Sequence, residues 1–238
     1  MGLLDFIIIM FIFIIGSIGI KNGFFKQTVL TVGTVLVIVL AYVTKDFLAN
    51  WFSYNLPFFN FFGPIEGLTS INIIMYQMLA FLIMCIIFGI VLAVLVKITK
   101  VFEKILNFTI ILGIPSKILG FIVGAIEGYI LAFVILFFIC QPAFNFSFVK
   151  DSKFAPVILN SSPGLSSLVS KTVDTIDEMY NLVDDYNNHK DANRFNKDSI
   201  DLMLKNEVIT KEYVNNLIDK GKISIIGIDE VLNKYYYG

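Results

Sequence analysis

Four apolar runs, residues 3–20, 28–46, 73–96 and 118–140, each come close to the roughly 20 residues with which an α-helix crosses about 30 Å of hydrocarbon. A soluble fold would have to bury all four. Too much of a small domain's surface stays exposed for 57% hydrophobic residues, 24 Phe among them, to be hidden in one core of a 238-residue chain. Lipid has to take up the remainder. Charged residues make up 16%, against about a quarter in an ordinary soluble domain, and mean hydropathy is +0.80. The sequence therefore predicts an all-α, multi-pass membrane protein of about four transmembrane helices, with an amphipathic interfacial helix and a small soluble helical C-terminal extension.

The first run has no basic segment before it and no small-residue cleavage site after it, so it reads as a retained helix. The second carries Thr28, Thr31, Gly33 and Thr34 in its first half, small residues of the kind that membrane helices place at their contacts. Lysines orient the set, because cytoplasmic loops carry an excess of Lys and Arg. Lys21 and Lys26 follow the first run, and Lys97, Lys100, Lys104 and Lys117 lie between the third and fourth. Against these six stand Lys45, Lys150 and Lys153. The balance predicts both termini outside, with the six as cytoplasmic-side basic anchors in a cell membrane.

Between the second and third runs, "FLANWFSYNLPFFNFFGPIEGLTS" combines aromatic rings with Pro57 and Pro64, which suits a loop lying in the membrane interface or a re-entrant turn. Residues 97–112 set Ile98, Val101, Phe102, Ile105 and Leu106 opposite Lys97, Lys100, Glu103, Lys104 and Asn107. That is an amphipathic helix, ended by Gly113 and Pro115.

Residues 1–160 form the membrane domain in this reading, and 161–238 the soluble extension. Leu165, Leu168, Val169, Val173, Ile176, Met179, Tyr180 and Val183 recur at helical steps. A polar linker over 187–196 precedes short helices at 198–206 (capped by Asp198), 210–220 (capped by Thr210, stopped by Gly221) and about 229–236. "KISIIGI" could be a strand, though without an obvious partner.

The fourth run holds the sharpest feature. Gly120, Gly124 and Gly128 form G-xxx-G-xxx-G, and at 100° per residue Glu127 falls on the same face, turned to a neighbouring helix. Gly16, Gly19 and Gly23 give the first helix a matching smooth side, which makes helices 1 and 4 the pair to dock first. An intramembrane carboxyl costs roughly 2.5–3.5 kcal/mol on insertion scales, so it needs a partner or a function. Two readings stand: a polar clasp between helices, or a proton- or ion-handling group in a polar constriction.

Three stretches carry a resemblance: "GIKNGFFKQ", "GIPSKILGFIVGAIEGYILAFVILF" and "FVKDSKFAPVI". Together they resemble the colicin V production protein (CvpA) family of bacterial inner-membrane proteins, over roughly residues 1–160. Gly23, Phe24 and Lys26 match the turn after helix 1; Gly120, Gly124 and Gly128 match the Gly-rich last helix; Ser152, Ala155 and Pro156 match the element after it. The chain departs from the pattern at Lys21-Asn22 and at Glu127, where the family usually has Arg, so a mechanism built on a positive group there does not carry over. The resemblance implies a role in envelope physiology, with toxin or bacteriocin production in some members.

Little points to catalysis. The lone His189 sits in the polar linker, there is no Cys/His spacing for a metal, and no phosphate-binding or nucleophile motif appears. No metal or cofactor is expected. A net charge of −1 offers no field for nucleic acid. The expected partners are the lipid bilayer, other envelope proteins and further copies of the chain. A non-catalytic scaffold and an oligomeric channel or transport component with Glu127 in a polar position remain the two functional readings.

Overall fold

The computed structural model describes residues 2–99, 101–139, 151–162 and 164–235, without the side chains of 64, 98–112 and 168. Among these residues the regular elements are helical: α1 (Leu3–Asn55), a 3-10 turn (Gly63–Ile65), α2 (Ile71–Thr99), α3 (Val101–Ile139), α4 (Phe154–Ser161), α5 (Leu165–His189), α6 (Ala192–Lys205), α7 (Lys211–Asp219) and α8 (Ile228–Lys234).

Helices α1, α2 and α3 are long and apolar enough to cross a membrane. At 53 residues α1 would measure about 80 Å if straight, well over twice the hydrocarbon thickness. It is not straight. Gly23 leaves the helical region at φ 72°, ψ 168°, a conformation that an L side chain rarely adopts, and divides α1 into a first arm (3–22) and a second arm (24–55). Both arms touch α3, in opposite senses. Along the first arm, Ile12, Ile15 and Gly19 meet Gly128, Gly124 and Gly120 in descending order, whereas Phe24 and Thr34 of the second arm bond Ser116 and Glu127 in ascending order. The chain therefore reverses at Gly23, and the arms supply two crossings. Gly113 (φ 49°, ψ −125°) breaks α3 in the same way, leaving a membrane arm over 114–139 with Pro115 in its first turn, where a missing N–H costs nothing. The backbone of 101–112 is helical; the amphipathic face read for 97–112 lies outside the described side chains, apart from the exposed Lys97.

The described residues divide into two compact units. The first contains 2–44, 82–139 and the described part of 151–166. Its outer surface is oil: Phe6, Phe13, Leu36, Val43, Ile90, Ile118 and Ile122 are all exposed, which only a lipid solvent accommodates in such numbers. Its interior includes Phe133 stacked on Phe137 at 6.1 Å.

The second unit contains 45–81 and the described part of 167–238. The expected interfacial loop begins later than its composition suggests, because the second arm continues to Asn55 and buries Ala49, Phe52 and Ser53 on one face. What remains of the loop is tied down by two side chains. Asn72 accepts from Phe59 N–H (2.7 Å) and donates to its carbonyl (3.1 Å), while Tyr76 donates to the Pro57 carbonyl (2.5 Å) amid the rings of Phe52, Phe58 and Phe59.

The C-terminal residues share this core. Val169, Val173, Ile176, Met179 and Val183 form the buried stripe of α5. The stretch read as a polar linker is mostly helix: α5 runs to His189, Asp191 caps α6 by accepting from Arg194 N–H, and Phe195 and Asn196 are buried. Asp198 is thus inside α6, about two turns too late to cap it. Thr210 caps α7, and Gly221 follows it at φ 63°. "KISIIGI" is not a strand. The Asn193 amide brackets Ile226 instead, accepting from its N–H (2.8 Å) and donating to its carbonyl (3.2 Å). Across the unit, Tyr213 donates to buried Ser53 (2.5 Å), Asn196 spans Ser70 N–H and the Gly67 carbonyl, and Tyr186 donates to the Glu66 carbonyl.

Candidate functional site

Within the first unit the glycines make backbone-to-backbone contact. A Cβ added to Gly19 would lie 2.1 Å from the Gly120 carbonyl oxygen, and one on Gly120 would lie 2.3 Å from that of Gly19. Gly124 and Gly128 are less tightly confined, against Ile15 O (2.8 Å) and Ile12 Cα (3.0 Å). At Gly19 and Gly120 no side chain fits, so there the residue type is dictated by the interhelical spacing. Gly16 plays a softer part, admitting the edge of the Phe121 ring, and Gly23 both reverses the chain and lies against Gly120.

Glu127 does not share the partner of those glycines. Its carboxyl turns to the second arm, where Gln27 donates to Oε2 and Thr34 lies 2.9 Å from Oε1. Asn22 in turn donates to Gln27 Oε1 (2.8 Å), which fixes the Gln27 amide with its nitrogen toward Glu127. At Oε1 the partner is a hydroxyl. The Thr34 hydroxyl donates to Oε1, so both carboxyl oxygens accept from the second arm. Buried Ser116 accepts from Phe24 N–H (3.1 Å), one of the donors orphaned at the start of the second arm. Asn22, Gln27, Glu127 and Thr34 thus form one polar string running inward from the Gly23 turn.

A second carboxylate escapes a reading by composition. Asp5 is fully buried and accepts four hydrogen bonds: from Ser152 hydroxyl (2.6 Å), Lys153 N–H (3.0 Å), Phe154 N–H (3.1 Å) and Gly2 N–H (3.0 Å). It caps α4 from another helix, and Ser152 adds a bond from Ala155 N–H (3.0 Å). Ala155, Ile158 and Leu159 are buried behind it, and Ser162 donates to Tyr129 hydroxyl (3.0 Å). A carboxylate in the first turn of an apolar run is the signal that marks Asp5.

Of the basic anchors, Lys21, Lys97 and Lys117 are exposed and Lys26 is half-buried; Lys100 and the side chain of Lys104 lie outside what the structure describes. Among the described residues no three His, Cys, Asp or Glu side chains gather as metal ligands.

The family model for the Colicin V production protein matches residues 4–163. The chain belongs to this family. The match takes in both ends of the Asp5–Ser152 tie, the whole glycine interface and Glu127, so each of these sits inside the Colicin V production protein region; α5, α6, α7 and α8 lie beyond it. No match was found among curated proteins or among solved structures.

Proposed function

We propose that this member of the family is a non-catalytic membrane scaffold of the bacterial envelope, supporting toxin or bacteriocin production or envelope homeostasis. One observation carries the reading: the intramembrane carboxyl is consumed by its own neighbours, with Gln27 and Thr34 on its two oxygens. A group so engaged holds helices together. The six lysines face the cytoplasm and both ends face outward in this reading, with the C-terminal helices available to other envelope proteins or to further copies of the chain.

A second reading, a conduit formed by several copies, draws support from the polar string that leads from Asn22 to Glu127. Substitution Glu127→Gln separates the two. A scaffold keeps full activity in a complementation assay at every external pH, because Gln retains both hydrogen-bonding ends. Loss of activity, or a new pH dependence, in a variant that still inserts and melts normally would reject the scaffold in favour of the conduit.

A further inference from the structure

One cavity in the first unit is not explained by the packing of its helices. It measures about 560 Å³ and lies between the second arm, α2 and the membrane arm of α3, lined by Leu30, Thr34, Leu92 and Leu131 among others. Its α2 side carries Leu92 and Val96 and, at four-residue steps beside them, a row of small residues ending in a cation: Cys85, Gly89, Ala93 and Lys97.

Gly89 is the informative one. Gly19, Gly120, Gly124 and Gly128 are each pressed against another backbone, yet a Cβ on Gly89 meets nothing within 4 Å. Glycine weakens a helix interior, and no close approach compensates for it here. Its effect is to keep the space beside it open. At the end of the row, Lys97 is exposed and directly follows the apolar run 73–96, which places its ammonium at headgroup level.

We propose that this groove holds one acyl chain of an anionic phospholipid, with the headgroup on Lys97 and the chain running past Ala93 and Gly89 toward Cys85. Apart from Thr34 and Lys97 the lining carries no polar side chain, so it suits hydrocarbon, and the row from Cys85 to Lys97 spans about 18 Å, long enough to lie along an extended acyl chain. Charge decides between lipids, since the charged member of the lining is a cation and basic pockets between membrane helices select anionic headgroups.

The test is native mass spectrometry of the full-length protein after exposure to phosphatidylglycerol or to phosphatidylcholine. The wild type should retain one phosphatidylglycerol per chain in preference to phosphatidylcholine. Lys97→Gln, a change at an exposed position, should lower phosphatidylglycerol retention about fivefold and leave phosphatidylcholine unaffected. Gly89→Phe should abolish retention of both. Equal retention of the two lipids by the wild type overturns the proposal, as does a Lys97→Gln protein with wild-type selectivity. A lipid-free dimer joined through Cys85 would overturn it too, by giving the groove to a second copy. Should Gly89→Phe fail to fold, the Lys97→Gln comparison still decides.

Discussion

Each of the two units of this chain is held together internally by its own chemistry. In the first, helices meet through what is missing: glycines on the first arm and on α3 let carbonyl oxygens come within 2.1–2.3 Å of where a Cβ would be. In the second, contact is made by large polar-tipped side chains, with Tyr213 reaching Ser53, Tyr186 reaching the Glu66 carbonyl and Asn196 spanning Ser70 and Gly67. The contrast is the one that two different solvents would produce. Lipid gives no hydrophobic drive between apolar helices, so close van der Waals contact has to supply it, whereas water favours burying aromatic area and rewards Tyr and Asn that bring a hydrogen bond along.

That difference sets the order of mutational sensitivity. The largest effect is expected at Gly19→Ala, where a methyl group collides with backbone that cannot rotate away; destabilisation should be about 3 kcal/mol, read as a loss of thermal stability in detergent. A melting curve like that of the wild type would mean that the first arm and α3 are not locked by glycine contact. Next comes Tyr213→Phe, which removes one hydroxyl and strands fully buried Ser53; about 1–2 kcal/mol is expected from denaturant unfolding followed by Trp51 fluorescence. If this change proved as costly as Gly19→Ala, the distinction between the units would fail.

The smallest effect is a matter of pH. Burial raises the Asp201 pKa, but hydrogen bonds from Lys234 and Tyr235 outweigh it and hold the carboxyl below its ordinary value, while burial and the bond to Asp201 push Tyr235 up to about 12. A depressed carboxyl pKa adds stability that is present above the unfolded value, near pH 4, and is lost as pH falls below it. The attachment of α8 to α6 should therefore loosen below about pH 4, seen as faster amide exchange over 228–235, and Asp201→Asn should abolish that dependence.

The membrane crossings and the glycine register are legible in the sequence because both depend on local quantities, the length of an apolar run and the spacing of residues without side chains. Other elements are not. The helix over 47–55 reads as loop, since Trp51, Tyr54 and Asn55 suit an interface and the burial of Ala49 and Phe52, the latter beside the Tyr76 ring, comes from packing. The same holds for 187–196, where polar composition conceals the buried Phe195 and Asn196. Glu127 stands out as an acid in oil, but its partner Gln27 lies 100 residues away, and nothing at position 27 announces it.

The tie between Asp5 and Ser152 joins positions 147 residues apart. A ribosome has made nearly two-thirds of the chain before that latch can shut. Until then three of the four hydrogen bonds on Asp5, those from Ser152, Lys153 and Phe154, have no donor to make them, so the first crossing is pinned at its N-terminal end only after the last has been made.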